Sequence, residues 1–143
     1  MTNANTVEVS RDESLLETYS RDVSNFKLVP QAVFFPRNTK EVQMVLMQAK
    51  EDGVSVSVRA GGTCMSGGSL NTGYILDLTR YMHEVSVDPE AKTATVGAGA
   101  YFRDIEDSAK VHRLFFAGYP SSNRLCGIGG MLGNNASGEK SLR

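Results

Sequence analysis

A chain of 143 residues, 41% hydrophobic and 22% charged with no tryptophan, can bury a real core and has the length of one domain or of a piece of one. Fifteen basic residues against sixteen acidic ones leave a net charge of −1, which excludes the broad field of a nucleic-acid binder. Cys64 and Cys126 match neither a metal-ligand spacing nor a small disulfide scaffold, and no run reaches the ~20 apolar residues of a membrane span; the expectation is a cytoplasmic protein without a metal, with peripheral attachment to the inner membrane face left open.

Residues 1–9 are polar and aperiodic and read as a frayed lead-in. Ser10-Arg11-Asp12-Glu13 has capping-box spacing, the serine oxygen serving a free N–H and Glu13 reaching back. Leu15, Leu16, Tyr19 and Val23 then share one side of a short helix ending near Asp22. Ala32-Val33-Phe34-Phe35 is rich in strand formers, and Pro36 stops it. Asn38 caps a second helix with Glu41 three residues on; Val42, Val45, Leu46 and Ala49 follow at i, i+3, i+4 and i+7, and Gly53 closes it. Val54-Ser55-Val56-Ser57-Val58 alternates as a strand does.

That strand runs into Arg59-Ala60-Gly61-Gly62-Thr63-Cys64-Met65-Ser66-Gly67-Gly68, ten residues with four glycines and two hydroxyls. Absent Cβ atoms let main chain approach a ligand and let several N–H donors converge, which is how proteins cradle phosphates. The loop therefore points to a nucleotide or dinucleotide, with a plain turn or linker as the alternative. Strand, helix, strand and then a loop at the carboxyl end of the second strand is where parallel α/β units place ligands. No helix pattern follows, so this is not a G-x-G-x-x-G fingerprint, and no Gly-Lys-Ser/Thr closes it as a P-loop.

After Asn71-Thr72-Gly73 comes the strand Tyr74-Ile75-Leu76-Asp77-Leu78. His83 to Val87 and Thr93 to Val96, joined by Asp88-Pro89-Glu90-Ala91-Lys92, form an antiparallel hairpin, because so short a connection cannot cross over. Gly97-Ala98-Gly99 leads into an amphipathic helix carrying Phe102, Ile105 and Ala109, and Leu114-Phe115-Phe116 reads as a short buried segment. From Pro120 to Gly138 small and hydroxyl side chains dominate, again allowing backbone to lie against a flat or phosphorylated ligand, while Leu125, Ile128, Met131 and Leu132 are too apolar for a disordered tail. His83 and His112 have polar neighbours and read as surface or structural residues. Arg59 either meets a phosphate or ties loop carbonyls, and Cys64 is either a packing residue or a thiol with its pKa lowered by neighbouring N–H groups.

Taken in order, Arg-x-Gly-Gly-Thr-x-x-Ser-Gly-Gly, Ile75-Leu76-Asp77-Leu78, Thr95-Val96-Gly97-Ala98-Gly99, and Pro-Ser-Ser followed by Ile-Gly-Gly-Met-Leu-Gly-Asn-Asn-Ala-Ser-Gly resemble the FAD-binding domain of the vanillyl-alcohol oxidase/p-cresol methylhydroxylase type. The nearest branch is that of the flavoprotein D-lactate dehydrogenases and glycolate oxidases, and the likeness covers about residues 19–143. It implies an α+β fold in which a small parallel β-α-β subdomain, about 30–80, packs against an antiparallel-sheet subdomain beginning near 83, with FAD between them and residues 1–29 as lead-in and helix. By the same resemblance Ala60, Gly61, Gly62, Thr63, Cys64, Ser66, Gly67 and Gly68 wrap the FAD pyrophosphate. Pro120, Ser121, Ser122, Gly129, Gly130, Asn134, Ala136, Ser137 and Gly138 line its isoalloxazine and ribityl side. Relatives that tether the flavin covalently carry histidine where this chain has Thr63, which implies non-covalent FAD. Gly127 replaces a frequent threonine and Tyr119 a frequent aspartate.

The function implied is oxidation of a D-2-hydroxy acid such as D-lactate or glycolate, with electrons passed to a quinone or cytochrome. In the family the chain continues past Arg143 into more of the FAD domain and a substrate cap that holds the catalytic groups. The expectation is therefore a shortened product or one of several polypeptides, with no catalytic residue of its own, weak FAD retention and no turnover unaided. A non-enzymatic flavin- or nucleotide-binding module and a flavin reductase of the UDP-N-acetylmuramate kind are the other readings; the Ser-Gly-Gly and Gly-Asn-Asn-Ala-Ser-Gly segments favour the hydroxy-acid branch.

Overall fold

The computed structural model describes residues 6–141. In chain order the elements are β1 (Glu8–Ser10), α1 (Glu13–Tyr19), β2 (Ala32–Phe35), α2 (Thr39–Asp52), β3 (Val56–Arg59), β4 (Tyr74–Asp77), β5 (Val85–Asp88), β6 (Thr93–Val96), α3 (Phe102–Lys110) and α4 (Ile128–Gly133). The fold is α+β: a mixed sheet ordered β1-β2-β4-β3, and a separate antiparallel pair, β5-β6. β4 lies between β2 and β3 and is parallel to both, while β1 runs antiparallel along the outer edge of β2.

β2 and β4 are buried at every position, as central strands covered on both faces must be, which is why each is an almost unbroken apolar run. Side chains alternate between the two faces. Ala32, Phe34, Tyr74 and Leu76 meet Val45 and Ala49 of α2, whereas Val33, Phe35 and Ile75 meet Leu15, Leu16 and Tyr19 of α1. α2 forms where its pattern places it: Asn38 accepts a hydrogen bond from the Glu41 N–H at 3.1 Å, and Gly53 closes the helix in the left-handed conformation at φ 67°. A second core gathers Phe102 and Ile105 of α3, Tyr119, Cys126, and Ile128 and Met131 of α4, with Val85 and Val96 from the hairpin packed against it.

Four expectations need correction. The lead-in is not frayed throughout: residues 8–10 form β1, because pairing with Val33, Phe34 and Phe35 satisfies its backbone and Glu8 is gripped by Arg37, Arg80 and the Tyr81 hydroxyl; residues 1–5 of that lead-in lie outside the described residues. The cap of α1 is Asp12, whose carboxylate accepts from the Leu15 N–H at 3.1 Å, since Ser10 is held in the strand and its hydroxyl accepts from the Asp12 N–H instead. α1 stops at Tyr19, with Ser20 as its cap, so Val23 lies beyond it and is 61% exposed. Leu114-Phe115-Phe116 is not a buried segment: Phe115 is 72% exposed, because Phe102 and Tyr119 already fill the core beside it.

Candidate functional site

β3 ends at Arg59, level with Asp77 of β4, and the chain leaves the sheet as a loop that returns at Tyr74. Opposite this loop runs the segment from Pro120 into α4. The two are in main-chain contact. A Cβ on Gly61 would stand 2.0 Å from the Leu125 carbonyl oxygen, and one on Gly127 would stand 2.5 Å from the Ala60 Cβ. Glycine at both positions is what allows two segments some sixty residues apart to close one cleft of about 360 Å³, within the size range of small-molecule sites.

From the first segment Ala60, Gly61, Gly62, Thr63, Cys64 and Gly68 line that cleft. From the second, Pro120, Ser122, Gly129, Gly130, Asn134 and Ala136 do. Five expected residues are not on its wall: Ser66, Gly67, Ser121, Ser137 and Gly138. Ser66 turns its hydroxyl to the Cys64 sulfur at 3.3 Å, Gly67 (φ 77°) packs against the Phe26 ring, and Gly138 packs against the Tyr119 carbonyl. Ser121 and Ser137 are exposed. Sequence reasoning missed Val58, Ser69, Leu78 and Ala98 on one side, and Cys126, Gly127, Met131 and Gly133 on the other. Gly127 and Gly133 carried a signal, since they extend the glycine pattern of Ile-Gly-Gly, and Ala98 stands in Gly-Ala-Gly; the apolar side chains of Val58, Leu78 and Met131 carried none.

No charged side chain lines the cleft among the described residues. Its polarity comes from hydroxyls, the Asn134 amide and main-chain N–H groups: those of Gly61, Gly62, Thr63 and Cys64 find no acceptor within the described chain. The Ser66 hydroxyl, helped by the N–H groups of Ser66 and Gly68, holds the Cys64 thiol below its ordinary pKa against the opposing effect of burial. Burial pushes the Cys126 thiol up. Behind the loop, Asp22 accepts from the Ser69 hydroxyl at 2.8 Å and from the Ser24 N–H at 2.8 Å; burial works against its charge, yet these donors and Arg59 hold its carboxyl below the usual range. The Tyr19 hydroxyl donates to the Asp77 carboxylate, and burial followed by that neighbour raises the phenol's pKa. His83 and His112 are both exposed, and no group of three or more His, Cys, Asp or Glu among the described residues is placed to hold a metal.

Residues 30–143 match the family described as FAD binding domain. The chain belongs to that family. Among curated relatives of this FAD binding domain, D-2-hydroxyglutarate dehydrogenase of Escherichia coli (strain K12) is 35% identical over 129 residues, covering 87% of this chain and 13% of that protein. D-lactate dehydrogenase of Archaeoglobus fulgidus is 35% identical over 125 residues (86% of this chain, 27% of that protein), and glycolate oxidase subunit GlcD of Bacillus subtilis is 33% identical over 128 residues (87% and 27%). The chain thus spans 13% to 27% of the length of these relatives. Among solved structures, an alkyldihydroxyacetonephosphate synthase superposes with a TM-score of 0.81 at 20% identity over 94% of this chain and 28% of that one. The 6-hydroxy-D-nicotine oxidase of Arthrobacter nicotinovorans does so with 0.76 at 22% identity, over 89% and 29%. Both likenesses concern the fold.

Proposed function

We propose that this FAD binding domain holds non-covalent FAD in the cleft between the 60–68 loop and the 120–138 segment, as part of a flavin-dependent enzyme that oxidises D-2-hydroxy acids. The observation that carries the reading is the contact of Gly61 with Leu125 and of Gly127 with Ala60, which brings both glycine-rich segments to one cleft. The residues present fit the group: the N–H groups of Gly61, Gly62, Thr63 and Cys64 are unpaired donors suited to a pyrophosphate, and Gly129, Gly130 and Ala136 offer a wall with little side chain, suited to a flat ring. When bound, FAD supplies the acceptor of the substrate hydride.

The chain's own residues orient and shield that cofactor. The loop N–H groups fix its phosphates without a cationic side chain on the wall; Val58, Leu78 and Met131 give the cleft apolar surface that excludes water. Thr63 has no ring nitrogen with which to tether a flavin, which supports a cofactor held by these contacts alone. We assign no catalytic residue to residues 1–143. The electron acceptor is a quinone or cytochrome in this reading. The boundary near residues 80–83, between a parallel β-α-β unit and the start of an antiparallel one, is part of the proposal. Among the described residues no helix is long and apolar enough to cross a membrane.

The substrate reading is tested by supplying the whole FAD-loaded protein, under anaerobic conditions and with no electron acceptor added, with D-lactate, glycolate or D-2-hydroxyglutarate. Bleaching of the flavin by at least one of the three is expected, and for lactate and 2-hydroxyglutarate by the D-enantiomer and not by the L-enantiomer. A flavin that stays oxidised with all three removes the hydroxy-acid assignment while leaving FAD binding standing.

A further inference from the structure

Arg59 is not on the cleft wall, yet it lies directly against the main chain of the loop. A Cβ on residue 62 would stand 2.6 Å from Nη2 and 3.0 Å from both Cζ and Nε of Arg59, so Gly62, at φ 64°, leaves room for the guanidinium as well as for its own backbone conformation. Nη1 donates to the Tyr19 carbonyl at 3.2 Å, and the guanidinium stands 5.1 Å over the Tyr19 ring. Nη2 and Nε donate to no acceptor within the described chain. A guanidinium that is held at one end and unpaired at the other, one glycine away from four unpaired N–H groups, is a source of positive potential for whatever those groups hold. Asp22, a carboxylate that feels the Arg59 charge without pairing with it, is fixed by Ser24 and by Ser69, the latter a residue of the cleft wall.

We propose that Arg59 is a positioning residue that supplies, from behind Gly62, the positive charge of a site otherwise built from neutral donors, and that Asp22 partly offsets that charge. The proposal rests on the FAD reading above and deepens it. A purely structural arginine would act by tying Tyr19 to the loop; an electrostatic one acts through its charge, and the two roles part on conservative substitution.

The test is the FAD dissociation constant of the whole protein, measured at low and high salt for wild type, Arg59→Met, Arg59→Lys and Asp22→Asn, with a thermal melt of each. Arg59→Met is expected to weaken FAD by about tenfold at low salt and by less at high salt, while Arg59→Lys stays within about threefold of wild type. Asp22→Asn keeps an acceptor for the Ser24 N–H and turns an amide N–H to the Ser69 hydroxyl, which can rotate to accept it, and is expected to tighten FAD. An Arg59→Lys variant as weak as Arg59→Met, or an Asp22→Asn variant that binds more weakly than wild type, overturns the proposal; Arg59→Lys and Asp22→Asn decide it even where Arg59→Met does not fold. Wild type that binds no FAD overturns the underlying reading, whereas wild type that binds FAD with unchanged affinity in Arg59→Met overturns only the role of Arg59.

Discussion

At the scale of single residues, glycines of similar local sequence carry opposite consequences. Gly61 has the Leu125 carbonyl oxygen where its Cβ would be, whereas Gly130 has nothing within 4 Å and sits in α4. Gly61→Ala is therefore expected to lower stability by about 1–3 kcal/mol through overpacking, and Gly130→Ala to leave it unchanged or raise it by up to ~1 kcal/mol through helix propensity. Urea titrations of the two variants check this, and equal effects would contradict it. The two thiols divide in the same way. A lowered pKa enlarges the thiolate fraction at a given pH, so alkylation of Cys64 is expected to begin at lower pH than that of Cys126, and bound FAD is expected to protect Cys64. Mass spectrometry of iodoacetamide-treated protein across a pH series reads both, and earlier labelling of Cys126 would count against the geometry. Arg59 shows how far such residues were legible. Its place at the end of a strand beside a glycine loop was plain, but Tyr19, whose carbonyl and ring hold it, lies forty residues earlier, and no local pattern links them.

At the scale of elements, those that were legible draw their stability from their own residues. α2 has its cap, its apolar stripe and its terminal glycine within one stretch, and β2 and β4 advertise burial on both faces by continuous apolar side chains. Asn38→Ala is expected to cost about 1 kcal/mol in a denaturant melt, and Asn38→Asp to restore nearly all of it; a loss in both would mean that the side chain does more than cap. β1 and α4 were not legible, because neighbours make them. Three residues have no strand signal without the edge of β2, and a six-residue helix with three glycines has propensity against it until Ile128 and Met131 enter the core beside Tyr119. β1 also carries a pH dependence. The Tyr81 hydroxyl, then Arg80 and Arg37, hold the Glu8 carboxyl below its ordinary value, so its contribution is present above the usual carboxylate range and disappears as pH falls through the lowered one. Amide protection at residues 8–10, taken relative to the intrinsic exchange rate at each pH, is expected to fall on acidification, and Glu8→Gln to remove that dependence; an unchanged acid response in the variant would assign it to other groups.

At the scale of the whole molecule, two cores meet at one cleft. The sheet core fixes the loop after β3, and the second core fixes α4 and the segment leading to it, so the site depends on their packing rather than on either alone. Both glycine-rich segments stood out by composition, but the apolar floor between them, Val58, Leu78 and Met131, became visible only with the fold, since each residue resembles any other core position. The chain covers 12% to 27% of the length of the curated relatives it matches, and FAD retention by residues 1–143 alone is expected to be weak. The most direct measurement is the visible absorption spectrum of the whole protein, recorded as purified, after incubation with FAD, and after denaturation and filtration. The account predicts a flavin spectrum that passes entirely into the filtrate on denaturation; a protein that stays colourless after incubation with FAD, or a flavin that remains attached to the denatured chain, would contradict it.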